Sequence, residues 1–331
     1  VEFGLSVEGP VMEDDGRVAG IVVSDGEGNE KKIEARLTID ASGMTAAVRR
    51  RLPESPFFPK YVDRGDTFVT YREIRNKTGD SRENSLVFGR NNGVRWINRS
   101  QDGLIDFFAG CLNYPGRPSP RDIVRETVAR TKDAGGDVLR GGYGAPIPVR
   151  HCFDSFIGHG FLICGDSACQ CNPLDGSGMA SSLRAASYAA KAAHEALANG
   201  RADIESLWPY AANYKHTQGA LFVPFDATQK FMISIPKPSL ELLFKRGVIG
   251  AKDFWGTGKP KQESILERLA KLIKLIDRPG FMAALVNAVG TAKQLSAHYQ
   301  DYPEKFDEHE FRLWQEKKQA LFARLPSEVQ P

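Results

Sequence analysis

The sequence predicts an α+β protein that combines an α/β part, an antiparallel β part and a helical C-terminal region. Three observations predict this class. Apolar residues alternate with polar ones between Asp-Gly turns in residues 1–43, an Ala-rich helical stretch follows a short apolar strand near residue 161, and helical periodicity dominates beyond residue 205. At 331 residues the chain is long enough for two or three structural units.

The composition is that of an ordinary globular protein and excludes several classes. Hydrophobic residues make up 41% and charged residues 26%, so disorder, collagen and coiled-coil arrays are excluded. The net charge of +3 predicts no nucleic-acid partner, and no apolar run predicts a transmembrane segment. We find no signal peptide, and the five cysteines are an odd number, so a reducing, cytoplasmic compartment is expected.

Residues 1–54 are predicted to form strands followed by a short helix. A three-strand meander has turns at 14–16 and 25–28, and its last strand runs from residue 32 to residue 39 and ends at Asp40. A helix is expected over residues 45–52, because Pro53 would stop it there.

Residues 55–150 are predicted to form an antiparallel sheet with one helix. Runs rich in β-formers, punctuated by Gly and Asn, occupy residues 67–71, 85–88 and 103–111. Ser119 and Pro120 begin a helix that extends to about residue 132. The Gly- and Pro-rich segment 136–150 is interpreted as a loop.

Residues 151–331 are predicted to return to the α/β part and then to continue as helices. A short strand at 161–164 precedes a helix over 178–198 that is crowded with Ala and Ser. Amphipathic helices are expected over 263–276 and 308–325. The first of these packs in the core or, in a second interpretation, makes peripheral contact with a membrane surface.

The most informative segment joins the short apolar strand to the Ala-rich helix. Its glycines, proline and acid follow the strand in the order Gly165, Asp166, Pro173, Gly176, Ser177, Gly178, Met179. Gly165 allows a ligand to approach the backbone, and the Asp166 carboxylate can accept hydrogen bonds from sugar hydroxyls. The bare amides and the dipole at the helix start favour an anion. The competing interpretation is a tight packing turn that binds no ligand.

This pattern of Gly-Asp, Pro and Gly-x-Gly resembles the second flavin fingerprint of FAD enzymes with the p-hydroxybenzoate-hydroxylase-type fold. Within that fold, residues 172–178, Asn-Pro-Leu-Asp-Gly-Ser-Gly, most resemble the geranylgeranyl reductase family. The resemblance implies that Asp166 binds the ribityl or pyrophosphate region of FAD and that residues 176–179 face the isoalloxazine ring. It covers about residues 1–230.

Two further segments carry the resemblance. Ala41 and Gly43 resemble the family's alanine-aspartate-glycine strand end, with Ser42 in place of the acid. Gly93-Val94-Arg95-Trp96-Ile97 resembles the family's substrate-sheet motif, of which the glycine and the tryptophan are retained. The resemblance implies cofactor contacts for Ala41 and Gly43 and a substrate contact for Trp96. An aromatic side chain on a half-buried sheet is also typical of core packing.

The resemblance also implies a division of the chain. Residues 1–54 would be the late strands of an FAD-binding nucleotide-domain remnant, 55–150 an antiparallel β substrate domain, 151–204 the return to the FAD-binding domain, and 205–331 a helical C-terminal region. We find no strand–GxGxxG–helix unit in the sequence. We therefore expect that the chain lacks the family's N-terminal ADP-binding unit and binds FAD weakly or not at all by itself.

The function that the resemblance implies is that of an FAD-dependent oxidoreductase, which transfers a hydride from flavin N5 to a hydrophobic, isoprenoid-like substrate. A reduced nicotinamide or a ferredoxin-like protein is expected as electron donor. A flavin-dependent monooxygenase or halogenase of the same fold is an alternative, and a non-catalytic binding remnant is another. No catalytic side chain can be assigned from the sequence.

The remaining chemistry-bearing residues predict no metal site. Cys169-Gln170-Cys171 has no second cysteine pair, and His151 and Cys152 have no ligand spacing around them. A redox role for one of these thiols beside the flavin is an alternative to simple packing in a tight loop.

Overall fold

The computed structural model describes residues 1–89, 93–250, 271 and 273–326. Within them the chain forms two compact units. One consists of residues 1–60 together with the chain from residue 150 onwards, and the other consists of residues 61–149. Helices and antiparallel sheets occur together, which confirms the predicted α+β class.

The first unit begins with a three-stranded antiparallel meander, β1 (Ser6–Met12), β2 (Val18–Ser24) and β3 (Glu30–Glu34). The predicted meander is confirmed, but its third strand is shorter than predicted. The last hydrogen bond to β2 is that from the Ala35 amide to the Ala19 carbonyl oxygen. Three residues later, the Thr38 amide donates to the Gly160 carbonyl oxygen instead. Residues 32–39 are therefore not one strand, because the backbone changes hydrogen-bonding partner between the two sheets.

A second small sheet contains the parallel pair that positions the candidate site. Its order is β10 (Ile157–Gly158), β11 (Phe161–Ile163) and β4 (Thr38–Asp40). β11 runs parallel to β4, so the carboxyl ends of both strands lie at the same edge. All three residues of β11 are buried, as expected for a strand covered on both faces.

The prediction of a helix over residues 45–52 is wrong. Two short 3-10 turns, Gly43–Thr45 and Arg49–Arg51, take its place. Between them Ala46 adopts the left-handed backbone conformation, with φ of 45°, which interrupts any regular helix.

Helices make up most of the first unit after residue 178. In chain order they are α2 (Met179–Ala198), α3 (Ile204–Tyr214), α4 (Ala220–Ser234), α5 (Lys237–Lys245), α6 (Pro279–Gln300) and α7 (Glu308–Phe322). A π-helical turn, Lys215–Gly219, joins α3 to α4. The predicted helices at 178–198 and 308–325 are confirmed, whereas the one predicted at 263–276 lies mostly outside the described residues. None of the described helices is long and apolar enough to cross a membrane.

Aromatic side chains form the core between the C-terminal helices. The Trp208 ring stacks on Tyr302 at 5.2 Å between centroids, and Phe311 and Trp314 of α7 meet Tyr302 edge-on. The Trp208 indole N–H donates to the Pro303 carbonyl oxygen at 2.7 Å, so this large buried ring leaves no polar atom unsatisfied.

The second unit is a five-stranded antiparallel sheet with one helix, α1 (Pro120–Arg130), on one face. The strand order is β6 (Ser85–Phe88), β7 (Gly93–Arg99), β8 (Leu104–Leu112), β5 (Thr67–Lys77) and β9 (Ala134–Pro148). The core under α1 consists of Tyr71, Ile105, Phe107, Ala109 and Val124. The Ser119 hydroxyl caps α1 by accepting from the Asp122 amide at 3.3 Å.

The prediction of a loop over residues 136–150 is wrong, because most of this segment belongs to β9 and pairs with β5. Its glycines make the pairing possible instead of ending it. A Cβ at Gly141 would lie 2.4 Å from the Arg72 carbonyl oxygen, and one at Gly144 would lie 2.5 Å from that of Thr70. These glycines mark irregular register and close backbone approach within a strand.

Candidate functional site

Two aspartates lie at the neighbouring carboxyl ends of β4 and β11, and they differ in the number of hydrogen bonds that their carboxylates accept. Asp40 is 2% exposed, and five groups of the chain donate to its carboxylate. Oδ1 accepts from the amide and the hydroxyl of Ser42, at 3.0 and 2.6 Å. Oδ2 accepts from the amides of Val48 and Arg49, at 3.0 and 2.9 Å. Asp40 therefore organises the turn that follows β4.

Asp166 follows the end of β11, beside the end of β4 that carries Asp40. No group among the described residues donates to the Asp166 carboxylate. The side chain is half-buried. Burial raises the pKa of the Asp166 carboxyl above its usual value, and no cationic group opposes this effect. A half-buried carboxylate without a partner is an acceptor that the fold leaves available for a ligand.

A buried amide side chain holds the backbone on which Asp166 sits. The Gly165 amide donates to Gln170 Oε1 at 2.8 Å, and the Gln170 amide group donates to the Tyr210 hydroxyl at 2.9 Å. The Tyr210 hydroxyl donates to the Ile163 carbonyl oxygen at 2.8 Å. Gly165 has a φ of 72°, a conformation that suits glycine. Sequence reasoning missed Gln170 and Tyr210, because the residues are 40 positions apart.

The loop from residue 172 to residue 178 is held by its own side chains. The Ser177 hydroxyl and amide both donate to Asp175 Oδ1, at 2.6 and 2.8 Å. The Gly176 amide donates to the Asn172 carbonyl oxygen at 2.9 Å, and Gly176 has a φ of 71°. Pro173 is buried, and its carbonyl oxygen accepts from Gln229 of α4 at 2.8 Å. The proton of the Ser177 hydroxyl is thus used within the loop and is not a free donor for a ligand.

Helix α2 begins at this loop with an open N-terminus. Gly178 is its N-cap residue and supplies no side-chain cap, and within the described part of the chain the amides of residues 178–180 have no acceptor. A Cβ at Gly178 would lie 3.3 Å from Asp166 Oδ1, so the missing side chain brings the helix start against the carboxylate. Met179 is 86% exposed. The amides and the helix dipole make this end favourable for negative charge.

The strand end after β4 adjoins the turn that contains Asp166. The Ser167 hydroxyl lies 2.9 Å from the Gly43 carbonyl oxygen and 3.3 Å from Asp40 Oδ1. Ala41 is exposed, and Gly43 has a φ of 66° with open space where a Cβ would point. The structure therefore brings Ala41 and Gly43 to the edge of the sheet where Gly165 and Asp166 lie.

Trp96 lies in the other unit, on β7. Its ring stacks on Phe108 at 3.9 Å between centroids, and its indole N–H donates to Asp106 at 3.1 Å. Asp106 also accepts two hydrogen bonds from Arg72, both at 2.9 Å. Directly paired residues of an antiparallel sheet share a face, so Trp96 and Phe108 lie on the face opposite α1.

A buried His–Asp pair was also not predicted from the sequence. His151 Nδ1 lies 2.5 Å from Asp226 Oδ2, and His151 Nε2 lies 3.2 Å from an Arg150 guanidinium nitrogen. Because Arg150 can only donate, Nε2 accepts and the Nδ1–H donates to Asp226. Burial and the Arg150 charge lower the pKa of His151 to about 4. Burial opposes ionisation of Asp226, but the hydrogen bonds and charge of His151 and the charge of Lys230 together outweigh it and lower the pKa of Asp226 to about 2.

The cysteines form neither disulfides nor a metal site in the described chain. All five are free and buried. Among the described residues no three His, Cys, Asp or Glu side chains are grouped so that they could hold a metal ion. The chemistry available at the two strand ends is therefore that of one acceptor carboxylate, exposed backbone and a positive helix end.

Comparison with solved structures defines the class of the fold. The chain is similar to a geranylgeranyl bacteriochlorophyll reductase-like protein from Thermoplasma acidophilum, with a TM-score of 0.64 and 15% identity, over 86% of this chain and 69% of that protein. A myxobacterial chondrochloren halogenase matches with a TM-score of 0.47 and 17% identity, over 96% of this chain and 68% of that protein. The fold is that of FAD-dependent oxidoreductases.

Comparison of sequences adds a more specific relative. The chain is 22% identical over 306 residues to a digeranylgeranylglycerophospholipid reductase from Sulfolobus acidocaldarius, which is 89% of this chain and 67% of the relative. No protein-family model matches. The resemblance to geranylgeranyl reductases is thereby confirmed. The expectations of an enzyme, and of FAD as the cofactor of the complete protein, agree with these similarities.

Proposed function

We propose that this chain carries flavin- and substrate-binding parts of an oxidoreductase that reduces a hydrophobic, isoprenoid-like substrate. The observation that carries the proposal is the partnerless Asp166 carboxylate against the open N-terminus of α2. Ligands of open α/β sheets bind outside the carboxyl ends of parallel strands, and both features lie there. The similarity to two geranylgeranyl reductase-type proteins supports this direction.

The residues at these strand ends fit FAD. The flavin carries ribityl hydroxyls, which are donors that a partnerless carboxylate can accept, and we assign this contact to Asp166. Its reduced ring and its pyrophosphate are anionic, and the uncapped amides at Gly178 and Met179 would face negative charge. Bound here, FAD would supply the two-electron chemistry.

The remaining proposed cofactor contacts are made by backbone and small side chains. Gly165, Gly176 and Gly178 leave the backbone bare, while Pro173 and Ser177 shape the loop that presents it. Ala41 and Gly43 would contribute from the other strand end. The chain's own task is then to hold these groups in position before the cofactor arrives, which Asp40 and Gln170 do through their buried hydrogen bonds.

The proposed substrate surface is the face of the five-stranded sheet opposite α1. Trp96 and Phe108 form a stacked pair there, Leu86 is 40% exposed, and Tyr143 is 73% exposed. Such an apolar, aromatic surface suits an isoprenoid-like chain. The Asp106 carboxylate fixes the Trp96 ring through its N–H, so the wall is rigid.

The reductase proposal is tested by the product formed from reduced enzyme. The full gene product, loaded with FAD and reduced by dithionite without oxygen, is mixed with a geranylgeranyl lipid. A product gaining two hydrogens per double bond supports the proposal. A lipid that stays unchanged, while aerobic turnover with NAD(P)H hydroxylates or halogenates an added aromatic compound, contradicts it and favours the monooxygenase or halogenase alternative.

The substrate surface is tested by a pair of variants. Trp96→Ala should raise the KM for the lipid, and Trp96→Phe should keep most of the binding, because only the first removes the stacked ring. An equal KM for both variants and the unmodified protein would remove Trp96 from the substrate surface. NAD(P)H and a reduced ferredoxin, supplied separately, identify the electron donor.

A further inference from the structure

Lys215 is a fully buried lysine in an unusual backbone conformation. It begins the π-helical turn Lys215–Gly219 between α3 and α4, and its exposure is 0%. π-helical turns are rare and often mark functional positions. Of all lysines in the described chain, it is the one whose side chain has no exposed surface, so its environment requires an explanation.

The Lys215 Nζ is directed at a buried sulfur. It lies 3.4 Å from Cys152 Sγ, and it also donates to the Phe153 carbonyl oxygen. No carboxylate of the described residues forms an ion pair with Lys215. The nearby carboxylate, Asp154, contacts Lys318 instead.

Aromatic rings confine this amine on several sides. The Nζ lies 4.9 Å from the centre of the Tyr299 ring, 5.1 Å from Trp314, 5.3 Å from Phe156 and 5.7 Å from Tyr302. Within this enclosure the ε-amine has few positions to occupy, and the sulfur stays in reach. Such enforced proximity raises the effective concentration of one group at the other.

We propose that Cys152 and Lys215 form an oxidative cross-link, a covalent sulfur–nitrogen bond made when hydrogen peroxide reaches the pair. In the first step the Cys152 sulfur attacks peroxide, the O–O bond breaks, and a sulfenic acid and one water are formed. In the second step the Lys215 nitrogen attacks this sulfur, an N–S bond forms, the S–O bond breaks, and a second water leaves. Two electrons pass from the thiol to peroxide, which is reduced to water.

The electrostatics around the pair favour the second step. Burial lowers the pKa of Lys215, with the charge of Lys318 acting in the same direction, while Cys152 and Asp154 oppose it. The share of neutral, nucleophilic amine therefore increases. Burial also raises the pKa of Cys152, which slows the first step, while the charge and the hydrogen bond of Lys215 oppose this rise.

The cross-link would join two parts of the chain that are far apart in sequence. Cys152 precedes β10 and β11, and Lys215 lies between two helices 63 residues further on. A thiol reductant would reverse the bond by attacking the sulfur, so the site would respond to the redox state of its surroundings.

The experiment is peptide mapping of the full gene product after treatment with hydrogen peroxide. We expect a species lighter by the two lost hydrogens, about 2 Da, in which trypsin no longer cleaves after Lys215 and the peptides of Cys152 and Lys215 are joined. Dithiothreitol should restore cleavage. Cys164→Ser, which removes another buried thiol, should retain the link as a matched control.

Two variants make the outcome decisive. Lys215→Met and Cys152→Ala should each abolish the joined peptide, and either one suffices if the other does not fold. A joined peptide in these variants, or complete cleavage after Lys215 in oxidised unmodified protein, would overturn the proposal. A mass loss explained by a Cys–Cys disulfide in the map would also overturn it.

Discussion

Asp40 and Asp166 lie at the same edge of one small sheet, at the ends of two parallel strands. Asp40 accepts five hydrogen bonds from the chain, whereas the Asp166 carboxylate accepts none from the described residues. Asp40 is 2% exposed, and Asp166 is half-buried beside the open start of α2. The difference separates a carboxylate that stabilises the fold from one that the fold holds ready for another molecule.

This comparison also shows that a polar residue after a strand is not itself a functional signal. Both aspartates follow an apolar strand, and an alanine and a serine come directly after each of them, so their sequence contexts are alike. What distinguishes them is the supply of donors within reach. Asp40 is met by the amides of Val48 and Arg49, eight and nine residues later, whereas the Asp166 carboxylate lies against the bare Gly178 and accepts from no donor among the described residues.

The largest effect is expected when the satisfied carboxylate is removed. Asp40→Ala leaves the amides of Ser42, Val48 and Arg49 without an acceptor, two of them in buried surroundings. We expect a loss of about 4 kcal/mol in the free energy of unfolding. Urea unfolding followed by circular dichroism measures it. A loss below about 1 kcal/mol would show that water replaces the carboxylate and that Asp40 does not organise the turn.

A second paired carboxylate, Asp226, which accepts from His151 through Oδ2, extends the comparison to pH. His151 has a folded pKa of about 4 against 6.5 in the unfolded chain, so its stabilising contribution is present above pH 6.5 and is lost as pH falls towards 4. We expect about 2 kcal/mol less stability at pH 5 than at pH 7. Asp226, with a pKa lowered to about 2, adds a further loss below its unfolded pKa of 3.8.

The control for this pH dependence is His151→Gln, which keeps a donor for Asp226 but does not titrate. Its stability should change less between pH 7 and pH 5 than that of the unmodified protein. An identical pH profile for both proteins would assign the acid sensitivity to other groups.

A smaller effect is expected at the helix start that faces Asp166. Gly178→Val places a side chain against the Asp166 carboxylate and Cys171, and it displaces any group that the α2 amides would bind. The flavin midpoint potential in the full gene product should fall by about 20 mV, which corresponds to roughly 1 kcal/mol of lost helix-end stabilisation. Spectroelectrochemistry checks it, and an unshifted potential with normal flavin content would remove this turn from the site.

The smallest effect on stability is expected at the partnerless carboxylate itself. Burial raises the pKa of Asp166, so ionisation of this group costs stability at neutral pH, and that cost is relieved as pH falls through its folded pKa. Asp166→Asn should therefore leave the flavin-free protein as stable as before, or slightly more stable, at pH 7. A clear fall in its unfolding midpoint would place Asp166 with Asp40 as a structural residue.

Much of the architecture followed from local patterns in the sequence. The meander of β1 to β3, helix α1 with its Ser119 cap, and the Ala-rich helix α2 were predictable because turn residues, caps and periodicity act over a few residues. The loop around Asp166 was predictable because Gly-Asp and Gly-x-Gly flank a strand and a helix. Its roles in binding stay predictions.

What could not be predicted depends on distant partners. Strand β9 was interpreted as a loop, because its glycines were taken for turns when they allow close approach to β5. The helix after β4 was replaced by two turns, since Asp40 competes for the amides of Val48 and Arg49. The His151–Asp226 and Cys152–Lys215 pairs join residues 75 and 63 positions apart, and no local pattern signals them.

The most direct test of the difference between the two aspartates is the FAD dissociation constant of Asp166→Ala in the full gene product. Removal of an acceptor for ribityl hydroxyls is expected to weaken binding by about tenfold or more, because an unmet hydrogen bond costs about 1–3 kcal/mol. Asp137→Ala, which removes an exposed carboxylate of the other unit, controls for charge. Tenfold weaker binding at unchanged stability is the predicted result, and an unchanged dissociation constant would contradict the assignment of Asp166 to the cofactor.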